Sequence, residues 1–291
     1  MMKKINDIIG DAKTIGIAGH VRPDGDCMGS CMSLYNYLKK NRPDLDVRVF
    51  LEFVDKKFNI IENTDQIITT GYDGTKFDLF ISLDTASLDR LGLNLPFYEN
   101  AKRTACIDHH ASNDGYADYN YILPKASSAS EVLYDLLDED LIDKSIAEPM
   151  YMGIAHDSGV FRFQSTTPKT MRIAANMIEK GVNVNMILEE TFFRKTYNQM
   201  MVTAKIQSEA VLALDGKCIY GYCTSEMMEE YGVTTKDLDA VVASIRNVDG
   251  VEVAMFLYQL SENSYKVSLR SKNYVDVSKI AVENGGGGHV R

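Results

Sequence analysis

The sequence predicts an α/β fold: a mainly parallel sheet with helices on both faces, joined by a helix to a smaller α/β C-terminal domain. Three observations carry this expectation. Short apolar β-like runs alternate with helical patterns over about the first 160 residues. After Gly181 the pattern becomes β-rich with hairpin-like breaks. And 291 residues are enough to bury two separate cores.

Taken in order, "TIGIAGH" (14–20) reads as a buried strand ending in glycine and histidine, and "DCMGSCMSLYNYLKK" (26–40) as a helix with apolar residues at helical spacing. "VRVFLE" (47–52), "FDLFISLD" (77–84) and "RTACIDHH" (103–110) are further strands. "SSASEVLYDLLDED" opens a helix with a capping box, Ser128 at the cap and Glu131 three residues on. "IAEPMYMGIAHDSGVF" (146–161) and "TPKTMRIAANMIEKG" (167–181) read as helices with a break at Gly159; Pro168 opens the second and Gly181 stops it. The stretch 194–214 reads as one connecting helix. "KCIYGYCT", "VEVAMFLYQL" and "SYKVSLRS" are strands, broken at "DG" and "SENS", with a helical "TTKDLDAVVASIRNV" among them. The expected division is a first domain at 1–190, a connecting helix at 191–214 and a smaller C-terminal domain at 215–291.

Composition narrows the function classes. The net charge is −10 and no basic stripe is visible, which argues against a duplex-tracking protein. A nucleic-acid substrate should be short and held in a local pocket. No apolar run is long enough to span a bilayer, and the first residues carry charges and a glycine where a signal peptide needs an apolar stretch. A cytoplasmic protein without a membrane partner is expected. Five cysteines with no C-x-x-C argue against a disulfide framework or a cysteine zinc site. Cys27 and Cys31, four apart on a helix, read as small buried apolar groups.

The unusual polar residues fall at strand ends. His20, Asp24 and Asp26 lie in "GHVRPDGDCMGS" (19–30), two carboxylates in a tight turn that a divalent cation would reconcile; helix capping is the alternative. Asp84 ends an apolar strand in "ISLDTAS", where a turn or cap also explains it. "IDHH" sets Asp108 beside His109 and His110, a pattern that suits metal ligation. His156 and Asp157 sit in the apolar "GIAHDSGVF", where a buried carboxylate needs a partner, although a polar step at a helix end fits as well. Four of the five histidines fall in or beside these segments. In parallel sheets, ligands bind beyond the carboxyl ends of strands, so these acids and imidazoles should meet at one edge. Oxygen-rich mixed ligands suit Mn²⁺ or Mg²⁺, and their number suits two cations sharing a carboxylate, roughly 3.5–4 Å apart.

With "GHVRPDGD", "LDT", "IDHH" and "AHDSGVFRF" in this order, and "VSLRS…VDVSKIAVENGGGGH" near the end, the chain resembles the DHH phosphoesterase family over nearly its whole length. It most resembles the branch of bacterial oligoribonucleases and 3′-phosphoadenosine-5′-phosphate phosphatases. The resemblance implies a two-metal hydrolase with His20, Asp24 and Asp84 on one cation and Asp26, Asp84, His109 and Asp157 on the other, Mn²⁺ being favoured over Mg²⁺. It places His110 at the scissile phosphate or leaving oxygen and makes Asp108 the group that orients a histidine. In the C-terminal domain it assigns Arg270, Gly286, Gly287, Gly288 and His289 to the substrate's other phosphate. The implied substrates are short single-stranded RNA, dinucleotides such as pApA, and 3′-phosphoadenosine-5′-phosphate, with homodimerisation left open. Hydrolysis of inorganic pyrophosphate, or nucleotide binding without catalysis, are the competing readings. His156 stands where relatives often carry Thr, as a plain substitution or as an extra group behind Asp157.

Overall fold

The computed structural model describes residues 4–238 and 241–286 and divides the chain into two compact units, Met1–Arg194 and Lys195–Arg291. In the first, α1 (Ile5–Ile9) precedes β1 (Thr14–Ala18), α2 (Gly25–Asn41), β2 (Asp46–Phe50), β3 (Ile67–Ile68) and β4 (Leu79–Leu83). α3 (Leu95–Glu99), β5 (Thr104–Asp108), β6 (Tyr119–Ile122), α4 (Ala129–Leu136), α5 (Lys144–Asp157), α6 (Pro168–Glu179) and α7 (Val184–Leu188) follow. The six strands form one parallel sheet in the order β3-β2-β1-β4-β5-β6. Its strands read as near-continuous apolar runs because both faces are covered. One face meets a large core that includes Met28, Leu34, Leu133, Met150 and Ile154 from α2, α4 and α5. The other meets a smaller aromatic core of Phe50, Phe77, Phe80 and Phe97.

Helices α2 and α5 form the tightest joint. A Cβ on Gly29 would lie 2.4 Å from the Pro149 carbonyl oxygen and 2.8 Å from Gly153 Cα, so only glycine allows this approach. Pro149 sits inside α5 and offers no N–H to the Ser145 carbonyl one turn earlier. Asn36 of α2 fills that gap, its Nδ2 donating to Ser145 O at 2.8 Å. The joint fixes the start of α2 relative to the end of α5, where the sequence places Asp26 and Asp157.

The second unit holds α8 (Tyr197–Glu209), β7 (Val211–Ala213), β8 (Cys218–Cys223), α9 (Ser225–Tyr231), α10 (Val241–Arg246), β9 (Val253–Ser261), β10 (Ser264–Ser271) and α11 (Val277–Glu283). Its sheet runs β10-β9-β8-β7, with β8 and β9 parallel and the outer pairs antiparallel. Val202, Ile206, Ile245 and Phe256 are among the residues of its core.

Four local expectations are corrected. The helix expected over 194–214 covers only Tyr197–Glu209, because Val211–Ala213 pairs with β8 as a strand. The helix expected to reach 161 stops at Asp157; Gly159, Val160 and Phe161 follow with φ of 59°, 56° and 61°, a left-handed turn that ends it. Ser128 caps α4 by accepting from the Glu131 N–H, but the Glu131 carboxylate bonds Ser127 and Thr170 rather than closing a capping box. β3 and β6 were not expected at all: the first has two residues, and the second is only half-buried along its length.

Candidate metal centre

Strand order decides where the site lies. From β1 the chain moves outward to β2 and β3 on one side, then returns to build β4, β5 and β6 on the other. The crossovers diverge between β1 and β4 and leave a crevice beyond their carboxyl ends. His20 and Asp84 follow these two strands, and His20 Nε2 lies 3.4 Å from Asp84 Oδ2. Asp84 is buried, with φ +52°, a left-handed conformation that Asp tolerates better than most residues, and its N–H donates to Ile107 O at 3.1 Å. Its other oxygen, Oδ1, lies 3.5 Å from His109 Nε2, and His109 Nε2 lies 3.3 Å from Asp157 Oδ2. The two oxygens of one carboxylate therefore face imidazoles from two different strand ends.

The start of α2 contributes two further acids, Asp24 at its N-cap and Asp26 in its first turn, each tied to a helix N-terminus. Asp24 Oδ1 caps α2, accepting from the N–H groups of Asp26 and Cys27 at 3.0 and 3.1 Å, while Oδ2 lies 3.7 Å from His20 Nε2. Asp26 is buried and caps α4 from outside it: Oδ2 accepts from Ala129 N at 2.6 Å, and Oδ1 accepts from Ser130 N and Oγ at 3.0 and 2.6 Å. One oxygen or nitrogen each from Asp26, His109 and Asp157 lie within 4.8 Å of one another, as do those of Asp84, His109 and His110.

The histidines' hydrogen bonds define how their rings are turned. His20 Nδ1 lies 2.7 Å from the Val21 carbonyl oxygen, which can only accept, so Nδ1 carries a proton and Nε2 is the nitrogen turned toward Asp24 and Asp84. His110 Nδ1 lies 2.8 Å from Asp108 Oδ1, and Asp108 is fully buried and held in turn by Asn113 Nδ2 at 2.7 Å. Asn113 Nδ2 also donates to Thr85 O at 3.1 Å, which latches the loop after β5 to the loop after β4.

Electrostatics show how crowded the acids are. Burial and the Asp84 charge push the Asp26 carboxyl up to about 7, and burial pushes Asp157 well above the carboxylate range. Burial also works against ionised Asp84, but His109 and His20 overrule it and hold Asp84 below the usual range. Burial opposes charge on His109, and Asp84, Asp157 and Asp26 outweigh it and raise that imidazole to about 10. Burial likewise opposes charge on His20, while the Cys27 thiol and the carboxylates of Asp24 and Asp84 raise it. Protons thus hold the place of positive charge among these acids.

The donor set fits divalent cations. The His20 and His109 separations of 3.3–3.7 Å from carboxylate oxygens are long for hydrogen bonds. They lie near the spacing of about 3 Å that neighbouring ligands adopt around one ion at roughly 2.1 Å. Imidazole with several carboxylates is the ligand set of Mn²⁺, Mg²⁺ or Zn²⁺.

His20, Asp24, Asp26, Asp84, Asp108, His109, His110 and Asp157 thus meet in one place. Arg270 and Gly286 belong to the second unit: Arg270 lies on β10, its NH1 donating to Leu269 O at 2.9 Å, and Gly286 follows α11. The calls on Gly287, Gly288 and His289 lie outside the described residues. His156 is not directed at a carboxylate. Its Nε2 lies 2.8 Å from Thr191 Oγ1, which donates to Ile187 O, so Nε2–H donates and the ring is neutral, with burial depressing it to about 4. Sequence reasoning missed the roles of Asn113, Ala129 and Ser130. Asn113 lies three residues after "IDHH" and was within reach; Asp26's capping partners, more than 100 residues away, left no local signal.

A parallel α/β domain with an Asp/His metal centre at its carboxyl edge, followed by a second unit with a mixed sheet, is the architecture of a phosphoester hydrolase. Comparisons with known proteins agree. Residues 14–154 match the DHH family, N-terminal domain, and residues 215–291 match the DHHA1 domain. The chain is 32% identical over 286 residues to the bifunctional oligoribonuclease and PAP phosphatase NrnA of Thermus thermophilus, covering 95% of this chain and 82% of that protein. It is 27% identical over 281 residues to the protein of the same name from Bacillus subtilis, covering 95% of this chain and 87% of the relative. The fold also matches the crystal structure of an exopolyphosphatase-related protein from Bacteroides fragilis, with a TM-score of 0.87 and 23% identity over 97% of this chain and 86% of that one. The chain belongs to the DHH phosphoesterase family. Among the described residues no helix is long and apolar enough to cross a membrane.

Proposed function

We propose that this protein hydrolyses short oligoribonucleotides, including dinucleotides such as pApA, to mononucleotides, and removes the 3′-phosphate of 3′-phosphoadenosine-5′-phosphate. The observation that carries the reading is Asp84, which turns one oxygen toward His20 and the other toward His109. In this reading His20, Asp24 and Asp84 hold one divalent cation and Asp26, Asp84, His109 and Asp157 hold another, with Mn²⁺ favoured over Mg²⁺. When bound, the pair supplies a hydroxide nucleophile near neutral pH and neutralises phosphoryl charge.

The chain's own residues complete the chemistry. Asp108, fixed by Asn113, keeps the His110 Nδ1 proton in place, so proton exchange falls to Nε2. His110 is more exposed than His109, with 21% of its side chain accessible against 8%, which leaves it reachable by substrate. We assign His110 Nε2–H the role of stabilising charge on the phosphoryl or departing ribose oxygen. Arg270, with the glycine run and His289, is assigned to the substrate's other phosphate, where an Arg fork and bare backbone N–H groups suit the anion. The acidic surface and small net requirement for phosphate contacts suit short single strands rather than duplex.

The test is Asp84→Asn. We expect loss of most activity on pApA and on 3′-phosphoadenosine-5′-phosphate, with the circular dichroism spectrum unchanged. Near wild-type turnover in this variant ends the bridging assignment. Products from purified protein with Mn²⁺ and, in parallel, pApA, 3′-phosphoadenosine-5′-phosphate, a five-nucleotide RNA and pyrophosphate test the substrate class; turnover of pyrophosphate alone refutes it.

A further inference from the structure

Cys27 is a buried member of the first unit's core, at the edge of that core where it meets the candidate ligands. Its Sγ, a ring nitrogen of His20 and a carboxylate oxygen of Asp84 lie within 4.8 Å of one another. For comparison, a sulfur and a nitrogen on one tetrahedral zinc ion sit about 3.6 Å apart, given bonds of roughly 2.3 and 2.0 Å. The thiol is held there by packing: a Cβ on Gly19 would come within 2.2 Å of Cys27 Sγ, so the sulfur lies flush against the strand end that carries His20. Cys27 is also in the first turn of the 17-residue helix α2, its N–H donating to Asp24 Oδ1 at 3.1 Å, which fixes its backbone beside the loop that carries His20. Cys31, one turn on, is equally buried but belongs to none of the candidate ligand groups among the described residues.

We propose that Cys27 makes the His20–Asp84 side of the centre a binding site for thiophilic divalent cations, Zn²⁺ above all, in competition with the hard cation that supports hydrolysis. This rests on the metal centre of the proposed function and adds a soft donor to it. On binding, the thiol S–H gives its proton to solvent and the sulfur lone pair forms the bond to the cation, with no change of oxidation state. Thiolate ligation selects Zn²⁺ over Mn²⁺ beyond the ordinary order of affinities, so Zn²⁺ displaces the activating ion and lowers turnover.

Co²⁺ reports the bond directly. The metal-free full chain is titrated with Co²⁺, which gives visible ligand-field absorption when bound and a near-ultraviolet sulfur-to-cobalt band only when a thiolate is a ligand. Wild type and Cys31→Ala should show both; Cys27→Ala and Cys27→Ser should keep the visible absorption and lose the sulfur band. The ratio of Zn²⁺ to Mn²⁺ affinity should fall on the order of tenfold or more in Cys27→Ala. Visible absorption without a sulfur band in wild type overturns the inference and leaves the metal centre standing. A sulfur band that survives in Cys27→Ala also overturns it. No Co²⁺ absorption of either kind removes the metal centre and the inference together.

Discussion

Filling the centre should expel protons, and the structure says roughly how many. At pH 7 the His109 imidazole, raised to about 10, is protonated, and so is His20, raised by its acidic neighbours. Asp26, pushed to about 7, holds about half a proton. Ligation needs these three groups deprotonated. Loading both positions should therefore release at least about two and a half protons, with any held by Asp157, which is raised by burial, adding to that number. Were these groups apart and unperturbed, two histidines near 6.5 would release only about half a proton between them. Isothermal titration of metal-free protein with Mn²⁺, repeated in buffers of different ionisation enthalpy, counts the protons from the slope of heat against buffer enthalpy. The sign is fixed too: protons compete with the cations, so affinity must rise with pH, by roughly a hundredfold or more for the pair between pH 7 and 8. Release of less than about one proton, or an affinity flat in pH, would show that these side chains are not the ligands.

Two other outcomes follow from the same contacts. Gly153→Ala would place a Cβ 2.1 Å from Ser130 Oγ and 2.7 Å from Asp26 Oδ1. It should cost about 1–3 kcal/mol in a urea melt and weaken Mn²⁺ binding as well, since the displaced atom belongs to Asp26; a neutral melt refutes the packing argument. In the metal-free protein His109 has a folded pKa of about 10 against 6.5 unfolded, so its stabilisation is complete below pH 6.5 and is lost as pH rises toward 10. Asp26, at about 7 against 3.8, acts in the same direction over its own lower window, because the folded state keeps a proton that the unfolded state has lost. The melting temperature of the stripped protein should thus fall from pH 6 to 9, and saturating Mn²⁺ should raise it more at pH 9 than at pH 6; a rising profile without metal contradicts the assignment.

How much of this was legible in the sequence depends on distance along the chain. His20, Asp84 and "IDHH" could be read because each closes an apolar run, and a parallel sheet delivers such ends to one edge. Asp157 could be read because an acid in apolar surroundings needs a reason. The end of its helix was read only approximately: the break expected at Gly159 falls just past Asp157, where α5 stops, because apolar spacing runs on through Val160 and Phe161 while the backbone has already turned left-handed. β7 could not be read, since its "VLA" continues the apolar rhythm of α8 into a strand. Cys27 is the small buried core residue that the sequence suggested; that it also neighbours His20 and Asp84 could not be read, because these come from different strand ends and only the fold brings them to it.

Capping and ligation first stood as rival explanations for Asp24 and Asp26; the structure shows the capping, and its geometry leaves room for the ligation proposed above. Asp24 keeps one oxygen on the α2 N-terminus and turns the other toward His20. Asp26 accepts three hydrogen bonds from the start of α4, yet Oδ2 takes only one of them and retains a lone pair. Four carboxylates gathered without cations would repel one another, and a chain that relied on the cation alone to assemble them would have no site to offer it. Helix N–H donors and imidazolium protons supply partial positive charge before any metal arrives. They hold the acids in place, and in the proposed reading the protons would leave as cations enter, while the helix caps stay. The fold would thus hold the acids together with the same contacts before and after binding, which accounts for both aspartates at the start of α2 and for Asp26 reaching a helix 103 residues away.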